Sequence, residues 1–101
     1  MSTLRALADV ADERRIQDAK WGVQNLPDGT SKEEWSAVAN AARTLCNMAA
    51  SEDAVTWKDI LMEEFFEAMA ESDPKKLREE LVQVAAVAVQ WIEAIDRRVQ
   101  P

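Results

Sequence analysis

Histidine and tyrosine are missing from this 101-residue chain, cysteine occurs once, and glycine and proline occur only twice and three times. Each scarcity narrows the field. Without histidine there is no imidazole base and no His-ligated zinc. One cysteine cannot form an internal disulfide, and with no secretory leader in evidence the chain reads as cytoplasmic. Positive charge is also short: 12 Lys and Arg against 19 Asp and Glu, a net charge of −7. A nucleic-acid polymer is therefore not an expected partner, because gripping phosphates along a strand takes clustered positive charge. No apolar run reaches the roughly 18 residues of a membrane span, so no membrane partner is expected. At 48% hydrophobic residues, the chain is too apolar for a disordered acidic tail. Its length amounts to one small domain, 1–101, whose limited core favours self-association.

What is present is helix-forming. Ala, Glu, Leu, Lys, Arg and Gln dominate, and these are the residues that lose least on entering a helix. The pattern predicts an all-α, four-helix-bundle-like fold with helices over about 3–20, 31–50, 56–72 and 74–99. In the first, Leu4, Leu7, Ala8 and Ala11 keep a helical period, which fades after Ala11. Trp21 to Thr30 holds both glycines and Pro27 and reads as an ordered loop. Ser31 and Glu34 have the spacing of a capping box. The second helix then carries one apolar stripe of Trp35, Val38, Ala39, Ala42, Leu45, Cys46 and Ala49. Thr56 is placed to cap the third helix, with Asp59 at its N3 position. Asp73 and Pro74 supply an N-cap and an N1 residue for the fourth. There Leu77, Leu81, Val84, Ala88, Trp91, Ile95 and Val99 recur at alternating steps of four and three, the spacing of a bundle seam. Between Leu81 and Val89 the other faces are apolar as well, with Gln83 the only polar residue. A helix apolar all round is buried on several sides, so a homo-oligomer is expected.

The chemistry-bearing residues lie on the third and fourth helices. Glu63, Glu64, Glu67 and Glu71 share a face about 100° wide at 100° per residue. Their i,i+3 and i,i+4 pairs repel by roughly 0.2–0.5 kcal/mol each, and no Lys or Arg stands between Asp59 and Pro74 to relieve them. On the next helix Glu80 sits at the edge of the seam and Gln83 follows three residues later. Two antiparallel helices joined by a short turn can set Glu64 and Glu67 opposite Glu80 and Gln83. Hard cations such as Mg²⁺ or Mn²⁺ take such oxygen ligands. The plainer reading of the same residues is a solvated acidic face, with Glu80 paired to Lys76, Arg78 or another basic residue and Gln83 in an interhelical hydrogen bond.

The run Glu63-Glu64-Phe65-Phe66-Glu67, twelve residues, then Glu80-Leu81-Val82-Gln83 resembles the MazG-like all-α nucleoside triphosphate pyrophosphatases, whose signature is E-E-x-x-E on one helix and E-x-x-D on the next. The segment from Glu13 to Thr30 and the run from Glu80 to Val89 are similar to stretches of small phage and actinobacterial members. The resemblance covers most of the chain. It implies a Mg²⁺-dependent hydrolase, with Mn²⁺ as a possible substitute. Such an enzyme cuts a nucleoside or deoxynucleoside triphosphate between the α and β phosphates to monophosphate and pyrophosphate. It implies Glu64, Glu67 and Glu80 as metal ligands, Gln83 at the fourth ligand position, and Glu63 as a further ligand or the base that orients water. It also implies a homodimer or tetramer. Where the family carries Asp this chain has Gln83, a neutral carbonyl in place of a carboxylate. The alternatives are accordingly a catalytically impaired nucleotide- and metal-binding regulator, or a helical interaction module without metal whose acidic face meets a basic partner.

Around the loop, Trp21 is a candidate to stack on a nucleobase, with Gln24 and Asn25 reading its edge and Lys20 meeting phosphate; packing of Trp21 across a helix end is the competing reading. Stacking on an aromatic is worth ~1–3 kcal/mol per base. Trp35, Trp57 and Trp91 lie on apolar stripes and read as core or interface residues. Cys46 lies on the second helix's stripe and reads as a small core residue, with no basic group placed to activate its thiol.

Overall fold

The computed structural model describes residues 2–99, and side chains from 3 to 98. It is all-helical: α1 (Ser2–Trp21), α2 (Lys32–Ser51), α3 (Trp57–Met69) and α4 (Pro74–Val99), with no strand among the described residues. No helix is long and apolar enough to cross a membrane.

The helix ends follow local chemistry. α1 stops at Gly22, whose N–H donates to the Asp18 carbonyl (2.7 Å) with φ at +68°, the left-handed closure that glycine adopts without steric cost. At the start of α2 the Ser31 hydroxyl accepts from the Glu34 N–H at 3.3 Å. The Glu34 side chain makes no return bond, so the expected capping box is only half formed. At the start of α3 the box is complete. Thr56 Oγ1 accepts from the Asp59 N–H, and the Asp59 carboxylate accepts from the Thr56 N–H. Asp73 caps α4 by accepting from the Lys76 N–H, with Pro74 at the first helical position.

α3 ends at Met69, short of the Ser72 expected from the sequence. Two constraints stop it. The residue before Pro74 is held out of the helical region, and the Met69 carbonyl accepts the Ser31 N–H at 2.9 Å, which takes it out of helix propagation.

The chain divides into two compact units. The larger spans Gly29–Ala88 and contains α2, α3 and the first half of α4. Within it α2 and α3 pack against each other, with Trp35 stacked on Phe66 at 6.0 Å between ring centroids and Phe66 edge-on to Phe65 at 5.3 Å. Ala39, Ala42, Ala68 and Leu77 are its buried apolar residues. The smaller unit joins the chain up to Asp28 with the residues from Val89 on. There Ala6 and Val89 are buried, and Thr3 Oγ1 donates to Glu93 Oε1 at 2.7 Å, tying α1 to the last turns of α4.

The apolar stripes are only partly covered. On α1 the buried residue is Ala6, while Leu4, Leu7, Ala8 and Ala11, the expected inner face, are exposed. On α2 the stripe buries Ala39 and Ala42 but leaves Leu45 63% exposed. On α4 Leu77 is buried, while Leu81 and Ile95 are exposed. Trp35, Trp57, Trp91 and Cys46 are half-buried. The Val99 side chain lies outside the described residues.

Candidate functional site

α3 and α4 bring Glu64, Glu67 and Glu80 together. One carboxylate oxygen from each lies within 4.8 Å of the others, and all three side chains are half-buried. The spacing follows from helix geometry. Glu64 and Glu67 stand three apart and share a face, and the turn at Asp73 reverses the chain so that Glu80 comes back to meet them.

The electrostatics of the trio are unrelieved at two corners. Glu64 Oε2 and Glu80 Oε2 are buried and have no hydrogen-bond partner. Burial first, and then the neighbouring carboxylates led by Glu67, push both carboxyls above the ordinary glutamate range. Glu67 is the exception. Arg43 on α2 donates from Nη2 at 2.9 Å and from Nε at 3.2 Å, both to Glu67 Oε1. Among the described residues no cation pairs with Glu64 or Glu80, and Lys76 and Arg78 form no such bridge.

Beside the trio runs an open groove of about 380 Å³. Lys32, Asn40 and Arg43 line it from α2, Glu67 from α3, Glu71 from the turn after it and Glu80 from α4. Glu63 is half-buried one position before Glu64. Its charge raises the Cys46 thiol, which burial has already pushed up, so Cys46 is a poor thiolate. Gln83, three residues beyond Glu80, is exposed and does not line the groove.

In the smaller unit a hollow of about 410 Å³ is lined by Arg14, Gln17, Asp18, Trp21 and Gln24 among others. Trp21 is 56% exposed, and Lys20 Nζ lies 4.8 Å from the centre of its ring in a cation–π contact. Asn25 is exposed and lies outside the hollow.

Arg43, Lys32 and Asn40 are the groove residues that the linear pattern did not single out. A signal for Arg43 does exist. It has no acidic residue three or four positions away on its own helix, so its charge had to be met from another element. No family model, no curated protein and no solved structure matches the chain.

Proposed function

We propose that this chain is a divalent-metal-dependent nucleotide pyrophosphohydrolase of the MazG-like kind. It would cleave nucleoside or deoxynucleoside triphosphates between the α and β phosphates and release monophosphate and pyrophosphate. The observation that carries the reading is the trio of Glu64, Glu67 and Glu80 with two buried, unpartnered carboxylate oxygens. A buried carboxylate without a partner is costly, and a dication removes that cost. The donor set fits the group. Mg²⁺ binds carboxylate oxygens at about 2.1 Å, which places ligand oxygens within about 4.2 Å of each other, a small side-chain shift from the separation here. The aspartic-acid position of the family motif is Gln83. With its exposed side chain, the trio alone makes up the carboxylate ligand set.

A bound divalent ion neutralises phosphate charge and activates water at neutral pH, which makes a histidine unnecessary. The protein's part is positional. Glu64, Glu67 and Glu80 hold the ion, and Glu63, next to Glu64 on α3, orients the attacking water and takes its proton. The hollow at Trp21 has by itself the chemistry to take a planar base, with an exposed indole face and the Gln24 amide. The exposed apolar residues of α1, α2 and α4 support a homodimer or tetramer, since a second copy of the chain would cover them. A cytoplasmic enzyme adjusting nucleotide pools, in a phage or its host, is the setting this reading favours.

A turnover screen tests it. Purified protein meets the common ribo- and deoxynucleoside triphosphates with Mg²⁺ and then Mn²⁺, and the products are resolved by chromatography. Monophosphate plus pyrophosphate, lost with EDTA and in Glu64→Gln, is the expected result; diphosphate plus phosphate would overturn the proposed reaction. Gln83 favours one second reading, a nucleotide- and metal-binding regulator without turnover. Binding of nucleotide and metal with no product from any substrate would decide for it.

A further inference from the structure

The groove beside the trio has two walls of opposite sign, and one residue joins them. Arg43 reaches from α2 to Glu67, but it does not clasp the carboxylate as a fork. Nε and Nη2 both converge on Oε1, and Nη1 faces Asn40 Oδ1 at 3.4 Å. A guanidinium set for lasting structural pairing spans both oxygens of its partner. This one engages a single oxygen from a side chain that is 50% exposed. Its charge is also too small for the site: one guanidinium faces three carboxylates, and two of these keep buried oxygens without partners. Lys32 lines the same groove and forms no ion pair among the described residues.

We infer that Arg43 is an exchangeable counter-ion. It neutralises Glu67 while the trio holds no cation. It turns to the phosphates of a diphosphate-bearing ligand in the same groove once a divalent ion engages the trio, and Lys32 is the second phosphate-facing cation. The inference rests on the metal reading proposed above. It follows from competition for one carboxylate: a dication at Glu67 repels the guanidinium beside it, and the freed N–H donors need an acceptor. A diphosphate supplies acceptors in the planar geometry that Arg recognises. Lys32 adds a point charge on the same wall.

The test uses the full chain and two titrations followed by calorimetry. The first adds Mn²⁺ alone; the second adds inorganic pyrophosphate at saturating Mn²⁺. Arg43→Gln removes the competing cation, so it is expected to bind Mn²⁺ several-fold more tightly than the unmodified chain. It also removes charge-assisted bonds to phosphate, so pyrophosphate is expected to bind about ten-fold more weakly or worse. Lys32→Gln is expected to leave Mn²⁺ binding unchanged and to weaken pyrophosphate. A structural tie would behave differently: Arg43→Gln would then weaken Mn²⁺ binding or leave it unchanged, and either result overturns the inference. Unaltered pyrophosphate binding in Arg43→Gln overturns it as well. If Arg43→Gln does not fold, Arg43→Lys serves, because an ammonium loses the two-bond grip on Oε1 and should move both titrations in the same directions by less. If the unmodified chain binds no Mn²⁺, the metal reading falls together with this one. Normal Mn²⁺ binding with an indifferent Arg43 sinks this inference alone.

Discussion

α1 and α3 both carry many charges and treat them in opposite ways. On α1, Arg14 pairs with Asp18 at 2.8 Å one turn away, and Arg15 pairs with Asp12. Both pairs are more than half exposed. Such pairs are made and broken in water and contribute little. On α3 the three glutamates, Glu63, Glu64 and Glu67, have no cation three or four positions away on their own helix. One is met by an arginine from α2, and Glu64 has a buried oxygen that meets nothing. The first arrangement is what a solvated helix face does with its charges. The second retains a local cost, and the fold brings a third carboxylate, Glu80, from α4 to increase it. A cost kept in this way points to a ligand that removes it. Charge density alone does not separate the two helices; the fate of each charge does.

The sharpest way to break this comparison is to neutralise one carboxylate on each side. Glu64→Gln or Glu80→Gln should abolish turnover, by about 10²–10³-fold or more, as the loss of one transition-state-stabilising group does. The metal-free fold should survive, with an unchanged or higher melting midpoint because repulsion is relieved. Asp12→Asn on α1, whose pair with Arg15 lies outside the Trp21 hollow, should leave turnover alone. Full activity in either glutamate variant would show that the trio is not the site.

Much of this was legible in the sequence, and for identifiable reasons. Four helices and their caps follow from short-range chemistry: Thr56 with Asp59, Asp73 with Pro74, and Gly22 each act within four residues. The meeting of Glu64, Glu67 and Glu80 was legible because a short turn between two helices leaves little freedom in what faces what. Other features were not, and three show why. Arg43 pairs with a residue 24 positions away, and helix periodicity carries no information at that range. Glu34 stands where a capping box wants it, but its side chain does not turn back to Ser31. The inner face of α1 was misjudged because period alone favours Leu4 and Leu7, whereas the buried residue is Ala6. A small buried side chain leaves little hydrophobic signature in the sequence.

The next largest effect should come from metal added to a thermal melt. An ion bound only by the folded state stabilises it by about 2.7 kcal/mol at a hundred times its dissociation constant. Millimolar Mg²⁺ should therefore raise the midpoint of the unmodified chain, and raise it far less in Glu64→Gln. Equal shifts in the two proteins would place the ion elsewhere.

pH sharpens the same contrast without metal. Glu64 and Glu80 are raised by burial and by their neighbours, so the folded chain holds these protons more tightly than the unfolded chain. Stability must then rise as pH falls through their folded values towards the ordinary glutamate value of 4.5. Asp59 acts in the opposite sense: hydrogen bonds from Thr56 lower its carboxyl, and its contribution is lost only at more acid pH. Melts between pH 7 and 5 should show the metal-free chain gaining stability, and the double variant Glu64→Gln/Glu80→Gln should flatten that slope. A slope unchanged in the double variant would assign the titration to other groups.

Smaller again is the difference between the two caps. Thr56→Ala removes both bonds of the hydroxyl, the one it accepts from the Asp59 N–H and the one it donates to the Asp59 carboxylate, and should cost about 1 kcal/mol, within the usual range for an N-cap. Ser31→Ala removes a single long bond and should cost less, as chemical denaturation would register.

The smallest effect belongs to the α1 side. Removing the Asp18 charge should cost no more than about 0.5 kcal/mol, the worth of one exposed pair a turn apart, and added salt should erase even that. The measurement is a double-mutant cycle of Arg14→Gln with Asp18→Asn at low and high ionic strength. A coupling well above this size, or one that salt does not touch, would mean that the α1 charges are committed to the fold and not merely paired in water. The fate of a charge, met locally in water or left buried and short of a partner, would then no longer tell the two helices apart.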